Sequence, residues 1–182
     1  MNAQSEKWWE RQGKTAPYPE LRQYNEPHCV FASIAGAINH LANRNVWTPG
    51  DLLKECVVSG LKAASFEVAN VAVVSVSNEL EAVHHNRESP RIDFGVDAIR
   101  KWIDCDGVVI LSMELADGNG NRLGQWHMFA LVANQPDCFQ VWDTNGFRGF
   151  ITHDELVSGI DYPNGMRFVP HDKEDTLFVR RK

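Results

Sequence analysis

The chain has 182 residues, 43% hydrophobic and 23% charged, the balance of an ordinary globular protein rather than a disordered tail, a collagen-like repeat or a coiled-coil rod. Eighteen Lys and Arg against 24 Asp and Glu leave a net charge of −6, which argues against nucleic acid or an anionic membrane as the main partner. A chain this long buries roughly 70% of the surface its unfolded form exposes, so it needs neither a metal nor a disulfide to fold.

The expectation is a single domain over 1–182, with 1–22 as an N-terminal extension packed on it. Cys29, Cys56, Cys105 and Cys138 are isolated from one another. No C-x-x-C pair suggests zinc or a redox dithiol, and the spacing lacks the look of a disulfide framework, so the four read as reduced thiols. Met1–Glu10 carries no apolar stretch behind it, and apolar runs such as Val71–Val74 and Val108–Leu111 fall far short of the ~20 residues that cross a bilayer. A cytoplasmic protein is expected, with export lacking a cleaved signal or delivery into a host cell as open alternatives.

In chain order, residues 1–22 are polar and broken by Pro17 and Pro19, and Trp8 and Trp9 are expected to pack on the body of the domain. From Cys29 onward, Phe31, Ile34, Ala35, Ile38, Leu41 and Ala42 recur at three- and four-residue intervals, the signature of a core helix. Pro27 precedes it and Asn43–Asn45 stop it. Small residues on the other flank (Ala32, Ser33, Gly36 and Ala37) predict close neighbours on both sides. Thr48 as N-cap, Pro49 at the first helical position and Gly60 beyond the end mark a second helix. The stretch 68–83 divides near Ser77, its β-branched first half suggesting a strand and Glu79-Leu-Glu-Ala-Val a helix. Ser89–Asp93 is a polar connection, and Val96, Ile99, Trp102 and Ile103 mark an amphipathic helix ending near Gly107.

After Gly107 the period changes. Val108–Leu115 reads as a strand, followed by the turn cluster Asp117-Gly-Asn-Gly-Asn. Trp126–Ala133, Cys138–Trp142 and Gly149–Ile151 read as further strands, the first two joined by a hairpin connection at Gln135–Asp137. Thr152-His-Asp-Glu is a capping box, so a short helix follows. Met166–Val169 and Thr176–Arg180 close the pattern. Helices first and an antiparallel sheet after them is α+β segregation rather than alternating βαβ units.

Chemistry concentrates at four residues. Cys29 opens a helix, where unpaired backbone N–H groups and the helix dipole favour negative charge, and the thiolate is the nucleophilic form of cysteine. Gln23, six residues earlier, carries an amide able to donate to a developing oxyanion. His127 opens an apolar strand, and Asp143 ends the next one. If those strands pair about the Gln135–Asp137 turn, the two are roughly symmetric about it and lie at one end of the sheet, close enough for a carboxylate to orient an imidazole.

These residues resemble a papain-like cysteine peptidase, nearest to the bacteriocin-processing (double-glycine leader) peptidase group. The resemblance covers roughly residues 20–160. It rests on Gln23-x5-Cys29 opening the first core helix, on the hairpin from His127-Met-Phe-Ala-Leu-Val to Phe139-Gln-Val-Trp-Asp143, and on Asp143-Thr-Asn-Gly146 leading to Thr152-His-Asp-Glu-Leu. It implies a papain-like α+β fold, with Cys29 as nucleophile, His127 as general base, Asp143 as its orienter and Gln23 as oxyanion donor. It implies no cofactor and no metal, and a protein or peptide as substrate. The chain departs from the family pattern at two flanks. His28-Cys29-Val30 stands where Asp-Cys-Gly is usual, and Thr144 follows Asp143 where Pro is usual. Residues 45–95 match no motif.

Other candidates are weaker. Cys56 reads as buried mid-helix, Cys105 lies at a helix end where the dipole disfavours a thiolate, and Cys138 has no nearby base. His40 with His84 and His85 lacks metal-ligand spacing. Asp117-Gly-Asn-Gly-Asn lacks the acidic ligands of a calcium loop and reads as a turn. His153 and His171 are expected at the surface, and Asn145 is a second-choice orienter for His127. The readings that follow are thiol-dependent hydrolysis of a peptide or isopeptide bond, the same triad used for transamidation, deamidation or acyl transfer, an effector acting on a foreign protein, or a catalytically silent peptidase-like binding module.

Overall fold

The computed structural model describes residues 29–61, 67–85, 95–143, 149–162, 165–170 and 176–182. The N-terminal extension 1–22, Gln23, the connection 89–93, Asn145 and His171 lie outside the described residues. The described part is α+β, combining helices with an antiparallel sheet.

Helix α1 spans Cys29–Ala42 and stops where Asn43 takes a positive φ of 55°, a left-handed conformation that Asn tolerates. Its residues from Cys29 through Asn39 are all buried, because small side chains on the flank let neighbours approach all round it. Helix α2, Pro49–Val58, begins as the sequence predicts, with the Thr48 hydroxyl accepting from the Asp51 N–H.

The stretch 68–83 divides where expected, with the two states exchanged. Val68–Val74 forms helix α3, and Leu80–His85 forms strand β1. Val68, Ala69 and Ala72 are its buried residues, a spacing that makes one helical face against α1 and overrides β-branched propensity. In β1 the alternation decides. Leu80 and Ala82 join the core under α1, while Val83 packs against the core on the other side of the sheet, and Glu81 pairs with Arg180 across the strands.

Helix α4, Val96–Asp104, precedes strand β2, Val108–Ala116, which is buried at every position. There follow β3, Arg122–Asn134, β4, Cys138–Asp143, and β5, Phe150–Thr152. Helix α5, His153–Ser158, starts with both halves of the predicted capping box. The short strand β6, Ile160–Tyr162, which no sequence signal marked, then pairs with β7, Met166–Pro170. Strand β8, Thr176–Arg181, is the last described element.

The sheet order is β1-β8-β2-β3-β4-β5, with β6 paired to β7 and β7 to β2. β7 and β8 share one edge of β2, β7 against Met113–Ala116 and β8 against Val108–Leu111. Val108 and Ile110 join Leu177 and Val179 in the core beneath α1, α2 and α3. Val109, Leu111 and Met113 join Phe178, Ile99, Ile103 and Leu156 in a second core beneath α4 and α5. Helices cover both faces, so β2 reads in sequence as a mostly apolar run, interrupted by Ser112 and Glu114, although its neighbours are antiparallel. No described helix is long and apolar enough to cross a membrane.

Candidate active site

Cys29 is the first residue of α1 and is 6% exposed. His127 lies in β3 and Asp143 is the last residue of β4, both buried. His127 Nε2 and Asp143 Oδ1 are 2.7 Å apart. The two residues are not directly opposed. Phe129 stands opposite Asp143, and His127 reaches the carboxylate diagonally from two residues along the same face.

A bulge makes that possible. Leu131 pairs with Val141 whereas Ala133 pairs with Gln140, so β3 carries Val132 as an extra residue. Were the ladder continued from the turn without the bulge, Asp143 would face Ala130, and a one-residue slip turns a side chain to the opposite face of the sheet. The bulge sets Asp143 and His127 on one face.

The imidazole is held on its flanks by two aromatic rings. Phe129 packs edge-on with centroids 4.7 Å apart, and Phe168 of β7 lies at 5.7 Å. Burial by itself pushes the His127 pKa down. Hydrogen bonds to Asp143 and to the Cys29 side chain, with the charge attraction of both, outweigh it and raise the pKa to about 9. With Nε2 given to Asp143, the nitrogen left for the thiol is Nδ1. The structure therefore brings Cys29, His127 and Asp143 into one contiguous chain of side-chain contacts. The fourth residue, Gln23, lies outside the described residues.

The remaining cysteines stand apart from this arrangement. Cys56 is buried, and that burial, aided by the nearby Glu55, pushes its thiol pKa up, toward the inert protonated form. Cys105 is exposed at the C-cap of α4. Cys138 donates its S–H to Gln135 Oε1 at 3.4 Å. Among the described residues no group of three or more His, Cys, Asp or Glu side chains is placed to hold a metal. The Asp117 carboxylate serves its own turn. Its Oδ1 accepts the N–H groups of Asn119 and Asn121, each at 2.8 Å, while Gly120 supplies a φ of +84°.

One residue departs from expectation in its surroundings. His153 is not a simple surface residue. Its Nδ1 lies 3.3 Å from Arg100 Nη2, and its ring sits 4.9 Å from that of Phe139. The first helical position of α5 turns it back onto the sheet, which the capping box alone did not reveal. Sequence reasoning also missed Glu114, a carboxylate buried beside the site's strand. It accepts from Arg122 Nη1 at 2.8 Å and from the Gly124 N–H at 3.1 Å. A charged residue inside an otherwise apolar strand run was the available signal.

No protein-family model and no curated protein matches the chain. Among solved structures, one similar to it is the crystal structure of a candidate C39-like peptidase from Bacillus anthracis. The two are 10% identical, with 88% of this chain and 94% of that one covered and a TM-score of 0.48.

Proposed function

We propose that the protein is a thiol-dependent hydrolase of the cysteine-peptidase kind, papain-like in plan, that cleaves a peptide or isopeptide bond in a protein substrate. The observation that carries this reading is His127, bonded through Nε2 to Asp143 and reaching the Cys29 side chain at the start of α1. An imidazole so placed carries a proton at neutral pH, and a proton-bearing imidazole beside a cysteine favours the nucleophilic thiolate.

In the proposed cycle, Cys29 Sγ attacks the scissile carbonyl carbon. The backbone N–H of Cys29 and, by the sequence resemblance, the Gln23 amide hold the oxyanion. His127 gives its proton to the leaving amine as the C–N bond breaks, and a thioester remains on Cys29. His127 then takes a proton from water, whose oxygen attacks the thioester and frees the acid. An amine in place of that water would make the product an amide.

Alkylation with iodoacetamide near neutral pH tests the reading, because accessibility and activation give opposite orders. Accessibility alone labels the exposed Cys105 first. An activated site labels Cys29 first although it is 6% exposed, and His127→Ala slows that labelling sharply. Cys105 first, with no effect of His127→Ala, would defeat the proposal. A Cys29→Ala pull-down then identifies the substrate.

A further inference from the structure

Helix α1 contains one glycine, Gly36, in the helix interior, where glycine costs about 1 kcal/mol relative to alanine. Trp142 accounts for it. A Cβ placed on Gly36 would fall 1.3 Å from Trp142 Cη2 and 1.5 Å from Cζ3. The indole thus occupies the volume a side chain would need and lies directly against the helix backbone.

Each partner shares an element with a residue of the site. Trp142 immediately precedes Asp143 on β4. Successive residues of a strand point to opposite faces, so the indole enters the core beneath α1 while the carboxylate meets His127. On the helix, Cys29 lies seven residues before Gly36, which at 3.6 residues per turn puts both on one stripe about two turns apart. The face of α1 that seats the indole is the face that presents the thiol.

We propose that the contact of Trp142 with Gly36 sets the spacing between the thiol on α1 and the imidazole–carboxylate pair on the sheet, making both positioning residues for the reaction proposed above, on which this inference rests. A methyl group on Gly36 must lift the helix, move the indole, or both. Reactive groups need placement to within about 0.5 Å, and a displacement of about 1 Å costs on the order of a hundredfold in rate.

The test compares the wild type with Gly36→Ala, Trp142→Phe and the double variant Gly36→Ala/Trp142→Leu, which removes the ring the new methyl group meets. Three readouts apply: the iodoacetamide rate at Cys29 against pH, the His127 titration followed by NMR, and the unfolding midpoint. Gly36→Ala is expected to slow Cys29 labelling about tenfold or more in the folded protein and to move the His127 titration down toward that of a free imidazole. The double variant is expected to recover most of both. A lowered unfolding midpoint with the pH–rate profile and the His127 titration unchanged would mean that the contact is structural only, and would overturn the inference. Should Gly36→Ala not fold, Trp142→Phe, which leaves the notch partly empty, carries the same expectations and the same refutation. The His127 titration is read without any activity. A wild type lacking selective Cys29 labelling therefore defeats the functional proposal, separately from the outcome for Gly36.

Discussion

Asp143 stands opposite Phe129 in the β3–β4 ladder, yet its carboxylate binds His127, two residues along, at 2.7 Å. The carboxylate contributes an oriented acceptor and a negative charge, and substitution separates the two. Asp143→Asn keeps a carbonyl oxygen for the His127 N–H and should retain much of the activity. Asp143→Ala removes both contributions and should cost on the order of 10²–10³ in kcat/KM. In each variant the His127 titration should move downward, because the charge that raises it is gone. An unmoved titration in Asp143→Ala, followed by NMR, would show that the pair does not operate in solution.

The raised pKa of His127 also makes a stability prediction. The folded value, about 9, lies above the unfolded value near 6.5, so the native state binds this proton more tightly. The resulting stabilisation is fully present below about pH 6.5 and is lost as pH rises through 9. Denaturant unfolding between pH 6 and 10 should show stability falling across that window in the wild type, with a much flatter profile in Asp143→Ala. Hydrolysis should decline over the same alkaline range, because the proton destined for the leaving amine is then absent.

Asn39 gives a prediction remote from the site. Fully buried in α1, it accepts the N–H groups of Val46 and Trp47 at 2.7 and 3.0 Å and donates to the Trp47 carbonyl at 2.8 Å. Asn39→Ala would leave those backbone groups without partners. A loss of about 2–4 kcal/mol is expected, read as a lowered denaturant midpoint at unchanged m-value. A loss below about 0.5 kcal/mol would mean that water satisfies them.

Glu114 organises the strand that carries His127. Its carboxylate fixes Arg122 and the Gly124 N–H, and Glu114→Ala should release both at a cost of about 1–3 kcal/mol. Faster amide exchange at Gly124 than at Ala130 should accompany it. Equal exchange at the two would show that the strand is held by other means.

The parts of the molecule that local chemistry controls were legible in the sequence. The start of α2 followed from Thr48 and Pro49, and that of α5 from Thr152 and Glu155, because caps are specified within four residues. Helix α1 and strand β2 followed from apolar periodicity. The exchange of states in 68–83 was not legible, because Val73 and Val74 favour a strand by propensity and only the neighbouring α1 makes the Val68–Ala72 spacing decisive. Residue types and chain order brought Cys29, His127 and Asp143 together. The diagonal reach from His127 to Asp143 depends on the bulge at Val132, and a bulge has no reliable mark in one sequence. Phe168 packs beside His127 through the pairing of β7 with β2, a contact that nothing near either residue announces.

The position of β8 has a consequence for synthesis. Thr176–Arg181 is the last described strand to leave the ribosome, yet it fills the gap between β1 and β2, and its Arg180 meets Glu81 across 99 residues of chain. Until it arrives, Val108–Leu111 has no strand on that side and β1 has no ladder at all. Between the synthesis of β2 and that of β8 the nascent chain therefore presents an apolar, hydrogen-bond-hungry slot, a state prone to pairing with the wrong strand. Closure of that slot brings together some of the most distant contacts in the fold, so sheet completion should be a slow step of folding.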